Sequence, residues 1–337
     1  MVRTDPMPDE ISAGHMGRLR WRNEWSDRLT ATQALRRELL ADGIASEDST
    51  ALFLLAAASN MRATDYARLH SMMPALRVAS DFGAGIPHGS MQGTRSARAH
   101  GVWLPRGLPL ACIDCIREDI DHWGFSWYRR SHQLVGVDWC EKHGRELARV
   151  KSRDPFWLTP HGQAMSGALS WVGAYCRTFG ATSTFVRRYA TIASAMLMMA
   201  APASAADVNG RLAERADLLG IDGRDGDSAR SLAQSILDQA PEAWLSQHFP
   251  DITAGSERSS IASVDKVLSR MNYAPEGPVY ALAMAALYED GDLAVQAVFG
   301  SAIAAACHGM FDEACQQLQA IPVSQSRREE GTGAVDH

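Results

Sequence analysis

Length, composition and charge place this chain among ordinary globular proteins. It has 337 residues, of which 46% are hydrophobic and 21% are charged, a balance that supports a buried core and excludes a fibrous or largely disordered chain. Residues 1–190 carry 24 Lys and Arg against 19 Asp and Glu, whereas residues 191–337 carry 9 against 20. The acidic second half argues against a protein that binds nucleic acid over its whole surface. The excess of arginine in the first half indicates either a basic face or ordinary solvated charge.

Targeting and redox signals favour the cytoplasm. The first twelve residues contain acids and prolines and lack the apolar core of a signal peptide. The most apolar stretch, residues 190–206, is rich in Ala and Ser and is interrupted by Pro202, so it does not predict a membrane span. The six cysteines form no recognisable disulfide framework. We therefore expect a soluble, cytoplasmic protein that does not bind membranes.

Apolar residues at helical spacing predict a mainly α fold. In the first part we expect a helix from about residue 9 to residue 25, a second that is capped by Thr30 or Thr32 and ends at Gly43, a third capped by Ser49 or Thr50, and a short fourth at residues 65–69. These short helices with interleaved arginines resemble a helix-turn-helix in outline, although all-helical packing produces the same pattern. Further helices are predicted at 184–199, 208–219, 228–239, 261–271, 279–288, 293–307 and 311–321.

Composition shifts divide the chain into five predicted parts. Residues 1–79 form a helical N-terminal region that resembles a helix-turn-helix in outline, and residues 80–100, rich in Gly, Ser and His, form a linker. A small zinc-binding module is expected at 101–160, and a helical C-terminal domain at 161–322. Residues 323–337 have no apolar face to bury, so we expect a disordered tail.

The strongest chemical pattern lies in the centre of the chain. It opens with Cys112-Ile-Asp-Cys115 and closes with Cys140-Glu-Lys-His143. A gap of two residues lets a tight turn aim both side chains of a pair at one point, and three thiolates with one imidazole complete a tetrahedral zinc set. Because the protein would supply all four ligands, no position remains for a reacting water. We therefore predict one structural Zn²⁺ ion and no catalytic residues.

The residues between the two ligand pairs allow two interpretations. Arg129, Arg130, His132 and Gln133 could contact DNA or a protein partner from a loop held by zinc. Alternatively, His132 contacts a zinc-bound thiolate as a supporting residue, and the arginines pair with nearby acids, namely Glu118, Asp119 and Asp121. A second metal at Cys307, His308 and Cys315 is the weaker reading of those residues, since thiols on apolar helices are commonly buried core.

The same stretch resembles the signature of the TniQ family, the target-selection proteins of large cut-and-paste transposons. The resemblance rests on the run Trp127-Tyr-Arg-Arg-Ser-His132-Gln-Leu-Val-Gly136-Val137, which leads directly to Cys140-Glu-Lys-His143-Gly144. Weaker likeness extends to residues 8–12, 69–74, 244–245 and 278–282. Family members usually carry Pro where this chain has Ile113 and Val135; neither departure removes a ligand.

The resemblance implies a non-enzymatic adaptor. Such a protein binds a target DNA, or a guide RNA–protein complex on DNA, and recruits an AAA+ regulator ATPase that brings the transposase. The absence of a Gly-rich phosphate loop with Lys-Ser/Thr agrees with this role. The alternatives are a zinc-stabilised DNA-binding transcription regulator and, third, an enzyme that uses the zinc or a reactive Cys176. Whether the protein is a monomer or a homodimer is left open.

Overall fold

The structure is a computed structural model. It describes residues 1–81, 85–90, 101–102, 104–171, 183–221, 231–253, 264–269 and 273–300. The helix predicted at 311–321, the tail predicted at 323–337, and most of the predicted linker lie outside these ranges. So do Cys176 and the weaker metal-binding group at Cys307, His308 and Cys315.

Five helices build the N-terminal region, at α1 (Ser12–Arg22), α2 (Arg28–Ala41), α3 (Ala51–Ala58), α4 (Ala63–His70) and α5 (Met73–Leu76). Thr50 caps α3 as predicted, because its side chain accepts a hydrogen bond from the N–H of Phe53. The cap predicted for α2 is wrong: α2 begins before Thr30, and the carboxylate of Asp27 accepts the N–H of Thr30 instead. The helices enclose a core that includes Leu19, Leu35, Leu39, Leu52, Leu55 and Tyr66.

The central module combines one helix with short strands. Its main helix is α6 (Ile113–Trp123), and a second, α7 (Pro160–Met165), packs against it. The strands are β2 (Leu110–Ala111), β3 (Trp139–Cys140), β4 (Arg145–Glu146), β5 (Ala148–Val150) and β6 (Leu169–Trp171). β2, β5 and β6 form an antiparallel sheet in that order, and β3 and β4 form a hairpin. Strands of two or three residues are too short to show an alternating sequence pattern, so none was predicted.

The C-terminal region is helical, with α8 (Thr184–Met196), α9 (Ala205–Leu218), α10 (Leu232–Gln239), α11 (Glu242–His248), α12 (Pro250–Thr253), α13 (Gly277–Leu287) and α14 (Gly291–Phe299). The helices predicted at 184–199, 208–219 and 279–288 are confirmed. The described part of 261–271 contains the 3₁₀ turn Lys266–Leu268. α13 is almost wholly buried between α8, α9, α10 and α14. None of the helices in the described ranges is long and apolar enough to cross a bilayer.

Two features join the regions into one packed body. The parallel pair of β1 (Ala79–Ser80) with β7 (Ala203–Ser204) connects the N-terminal helices with the C-terminal ones. A single buried core contains Ile11 from the start of the chain, Leu134 from the central module and Trp244 from α11. The predicted regions therefore share a core in this fold, which is mainly α around a small central module.

Candidate metal centre

The four predicted metal ligands meet at one point. Cys112 immediately precedes α6, Cys115 lies in its first turn, Cys140 ends β3, and His143 lies in the turn between β3 and β4. The Nδ1 atom of His143 is 3.5, 3.4 and 3.5 Å from the Sγ atoms of Cys112, Cys115 and Cys140, respectively. The Sγ atoms of Cys115 and Cys140 are 3.7 Å apart. All four donor atoms lie within 4.8 Å of one another.

These distances match the edges of a zinc tetrahedron. Bonds of about 2.3 Å to sulfur and about 2.0–2.1 Å to nitrogen place two sulfurs about 3.8 Å apart, and a sulfur and a nitrogen about 3.6 Å apart. The three thiols are buried, at 1–2% exposure, and none is in a disulfide. Three soft sulfur donors and one imidazole suit zinc far better than calcium or magnesium, which prefer oxygen. The donor set therefore fits one zinc ion with no open coordination position.

Local backbone geometry brings the ligands together. Gly144 adopts a positive φ of 60° and donates its N–H to the Cys140 carbonyl at 2.8 Å, which closes the turn that carries His143. The N-terminus of α6 faces the centre, so its dipole favours thiolates. Hydrogen bonds from Cys115 and then Cys140 lower the pKa of the Cys112 thiol, and the contact with Cys112 raises the pKa of Cys115. The three sulfurs thus share protons that a metal ion would displace.

A carboxylate that sequence reasoning assigned elsewhere supports His143. The Nε2 atom of His143 lies 3.0 Å from Glu118 Oε1, and Lys142 pairs with the other Glu118 oxygen. The hydrogen bond with Glu118 raises the pKa of His143. It also engages Nε2, so that Nδ1 is the ring nitrogen that faces the thiols and could bind a metal. From the sequence, Glu118 was expected to pair with Arg129 or Arg130 in one of the two interpretations. Its position three residues after Cys115, one helical turn along α6, was the signal that could have placed it at the centre.

His132 and Gln133 are buried inside the module. The Nε2 atom of His132 is 3.9 Å from Cys115 Sγ, and burial, followed by the charge of Arg129, lowers its pKa to about 4, so the ring is neutral. The Gln133 amide donates to the Leu110 carbonyl at 2.9 Å and accepts from the Leu110 N–H at 3.0 Å. Gln133 therefore continues the hydrogen bonding of β2, and neither side chain presents a surface to DNA.

The two arginines proposed as binding residues are also engaged within the protein. Arg129 donates to both oxygens of Asp119, at 2.6 and 2.8 Å, and stacks over the Trp127 ring. Arg130 is 2% exposed; it donates to Asp9 Oδ1 at 3.0 Å and to two backbone carbonyls. The prediction that Arg130, His132 and Gln133 contact DNA or a partner finds no support in this burial. The Asp9 partner, 121 residues away in the chain, was missed.

The loop between Leu134 and Asp138 packs against the C-terminal helices. Trp244 Nε1 donates to the Gly136 carbonyl at 2.9 Å, and Tyr189 donates its hydroxyl hydrogen to the Val135 carbonyl at 2.9 Å. Gly136 has a φ of 78°, and an added Cβ would lie 2.8 Å from both aromatic rings. Beside it, Asp138 pairs with Arg106 at 2.6 Å and with His248 at 2.8 Å. The His-Gln-Leu-x-Gly-Val segment thus positions one half of the molecule on the other.

The fold and the centre define a mainly α protein organised around a small module whose Cys3His group could hold a metal ion. Comparison with protein families agrees: the TniQ family model matches residues 1–147, a range that contains α1–α6 and all four candidate ligands. Residues 1–147 are therefore a TniQ-family region, and the resemblance found in the sequence is confirmed. The family connects the chain with target selection in transposition. No curated protein matches the chain.

Proposed function

We propose that this protein is a non-enzymatic adaptor in DNA transposition. It binds a target DNA, or a guide complex on DNA, and recruits an AAA+ regulator ATPase and its transposase. The observation that carries the proposal is the TniQ match over residues 1–147, which ends just past the last ligand of the Cys3His centre. The centre itself supports a structural role because every donor comes from the protein.

Zinc is the proposed metal, and the chain is proposed to use it for folding. When bound, the ion would supply bonds from Cys112, Cys115, Cys140 and His143, and Glu118 would orient the histidine. The described residues hold one group with this ligand spacing, and its donors leave no site for a polarised water. A reaction at this centre would need one ligand to leave, and three of the four are buried.

The alternative, a zinc-stabilised transcription regulator, draws on α3 and α4. These helices are joined by the four residues 59–62, as in a helix-turn-helix. However, one side of α4 is covered: a Cβ at Gly89 would lie 2.4 Å from the Ala63 carbonyl and 2.7 Å from the Ala67 Cβ. A recognition helix enters the major groove with an exposed face, whereas no residue of α4 is exposed; this burial favours the adaptor.

Affinity capture from the native host distinguishes the two functions. The tagged protein is recovered from matched lysates with and without nuclease treatment, and retained proteins are identified by mass spectrometry. An AAA+ ATPase retained after nuclease treatment is the expected result, because an adaptor contacts its ATPase directly. Recovery of DNA without any ATPase in either lysate would replace the adaptor with the transcription regulator.

A further inference from the structure

A groove separate from the metal ligands lies on the N-terminal side of the module. It has a volume of about 440 Å³. One wall is α1, a second is the segment 124–128 that follows α6, and the third is the segment 156–162. The size suits one or two large side chains of a bound segment.

This groove, hereafter the aromatic groove, has six Phe, Tyr or Trp side chains among its seventeen described lining residues: Trp21, Phe125, Trp127, Tyr128, Phe156 and Trp157. Interior contacts fix several of them. Tyr128 packs edge-to-face on Phe156, with ring centres 5.0 Å apart, and donates its hydroxyl hydrogen to the Pro155 carbonyl at 2.7 Å. Trp21 differs, because 54% of its surface is exposed at the groove's edge. The groove is thus preformed, and Trp21 forms its exposed apolar rim.

Charge in the aromatic groove is positive. Among the described lining residues the one carboxylate is Glu10, which is 0% exposed and accepts from Arg18 Nε at 2.8 Å and Nη2 at 2.6 Å. That pair is neutral as a unit. Arg22 remains at the exposed rim, its guanidinium 5.8 Å from the centre of the Trp21 ring, and no other carboxylate belongs to the part of the lining that the structure describes. A ligand therefore meets an apolar, aromatic interior next to an exposed guanidinium.

We propose that the aromatic groove binds a short acidic peptide segment of a partner protein. The segment inserts an aromatic or large aliphatic side chain among the rings and pairs a nearby carboxylate with Arg22. Single-stranded nucleic acid fits less well, because a backbone of phosphates requires a track of cations, and Arg22 is the one exposed arginine among the described lining residues. The inference rests on the proposed function in that an adaptor must hold a protein partner.

The test selects peptides from a phage-displayed library of random twelve-residue sequences on purified, zinc-loaded protein. Two rim variants, Trp21→Ala and Arg22→Glu, are compared with matched exposed controls away from the groove, Trp171→Ala and Arg37→Glu. Selected peptides are synthesised with fluorescein, and Kd is measured by anisotropy. We expect them to share a large apolar residue next to Asp or Glu. Each rim variant should weaken binding by about tenfold or more, and each control by less than about twofold.

Three outcomes would overturn the proposal. Selection could yield no shared apolar-acidic pattern, or the peptides could bind the rim variants as tightly as the wild type. Alternatively, unlabelled oligo(dT) could displace the labelled peptides, and fluorescein-labelled oligo(dT) could bind Trp21→Ala more weakly than the wild type. That result would make the groove a nucleic-acid site. Because the assay contains no ATPase, its failure is distinct from failure of the adaptor function, which would appear in the lysate capture.

Discussion

Arg130 shows how a residue that looks like a binding contact becomes part of the core. Its guanidinium lies between Asp9 of the opening segment and the carbonyls of Arg68 and Ser71, at the end of α4. Burial lowers its pKa, and the charge of Asp9 opposes that effect. A buried cation of this kind is stable only while all its partners are in place.

Replacement of this arginine is expected to damage the fold. Arg130→Ala should lower the free energy of unfolding by about 3–5 kcal/mol, because it removes the buried donor to Asp9 Oδ1 and to two backbone carbonyls; Ser131 still donates to Asp9 Oδ2. Arg129→Ala should also destabilise the fold, because it leaves the Asp119 carboxylate, whose side chain is 4% exposed, without the arginine that donates to both of its oxygens. Urea titration followed by circular dichroism measures both. Equal stability of Arg130→Ala and the wild type, with reduced DNA affinity, would restore the binding role.

Gly136 provides a second prediction at the residue scale. Gly136→Ala combines a positive φ with a clash against Trp244 and Tyr189, so it should destabilise by about 2–4 kcal/mol. Gly124→Ala is the matched control: its φ of 75° is similar, but nothing lies within 4 Å of the added Cβ. The control should cost about 1 kcal/mol. If thermal melting shows equal losses for the two variants, the packing on Gly136 is unimportant.

Buried histidines predict acid sensitivity. Burial, followed by the charge of Arg130, lowers the pKa of His70 to about 3. Below pH 6.5 the unfolded chain binds this proton while the folded protein does not, so stability is complete above that pH and is lost as pH falls towards 3. At pH 5 the loss is about 2 kcal/mol for this residue. His70→Gln should show a shallower decline between pH 7 and pH 5 than the wild type. His122→Gln, on the exposed face of α6, is the control.

At the scale of elements, the metal ligands connect α6 to the β3–β4 hairpin. These are short elements, and the core cluster around the ligands contains, in the described part of the chain, two further residues, Leu110 and Leu147. Such a module has little apolar surface of its own to bury, so binding free energy of the metal becomes folding free energy. The centre should therefore determine whether this part of the protein is folded.

Loss of a thiol should remove the metal and open the module. The wild-type protein is expected to bind one zinc ion per chain. Cys112→Ser and Cys140→Ser should each lose this ion and expose the tryptophans of the module. Elemental mass spectrometry and tryptophan emission measure the two effects. Cys176→Ser, outside the ligand set, should retain one zinc ion. Metal-free protein with unchanged circular dichroism and melting temperature would contradict this account.

Sequence patterns predicted some elements well and others poorly. The long helices and the ligand set were predictable because periodicity and spacing are local properties of the chain. The module's strands were not, since they consist of two or three residues each. The partners of Glu118 and Arg130 were also missed. Whether an arginine faces solvent or Asp9 depends on packing between segments 121 residues apart, which a local pattern does not encode.

At the scale of the whole molecule, the shared core predicts cooperative unfolding. Trp244 and Tyr189 of the C-terminal helices pack on Gly136, and the side chains of His248 and Arg106 meet at Asp138. The zinc-loaded protein should therefore unfold in a single transition, with coincident loss of helicity and tryptophan environment. A fragment of residues 1–160 should be less stable than the same residues in the full chain, because Leu134 and Gly136 would be uncovered. Two separate calorimetric transitions would show independent halves.

The short pairing of β1 with β7 fixes the distance between the N-terminal and C-terminal helices. Ala79 lies opposite Ala203, so the chain leaves and re-enters the outer helical layers at adjacent points. An insertion within the interval, for example at the exposed turn around Arg153, would lengthen the chain without moving those layers apart. The distance between the N-terminal and C-terminal helices is therefore set by this pairing and does not depend on the length of the chain between residues 80 and 203.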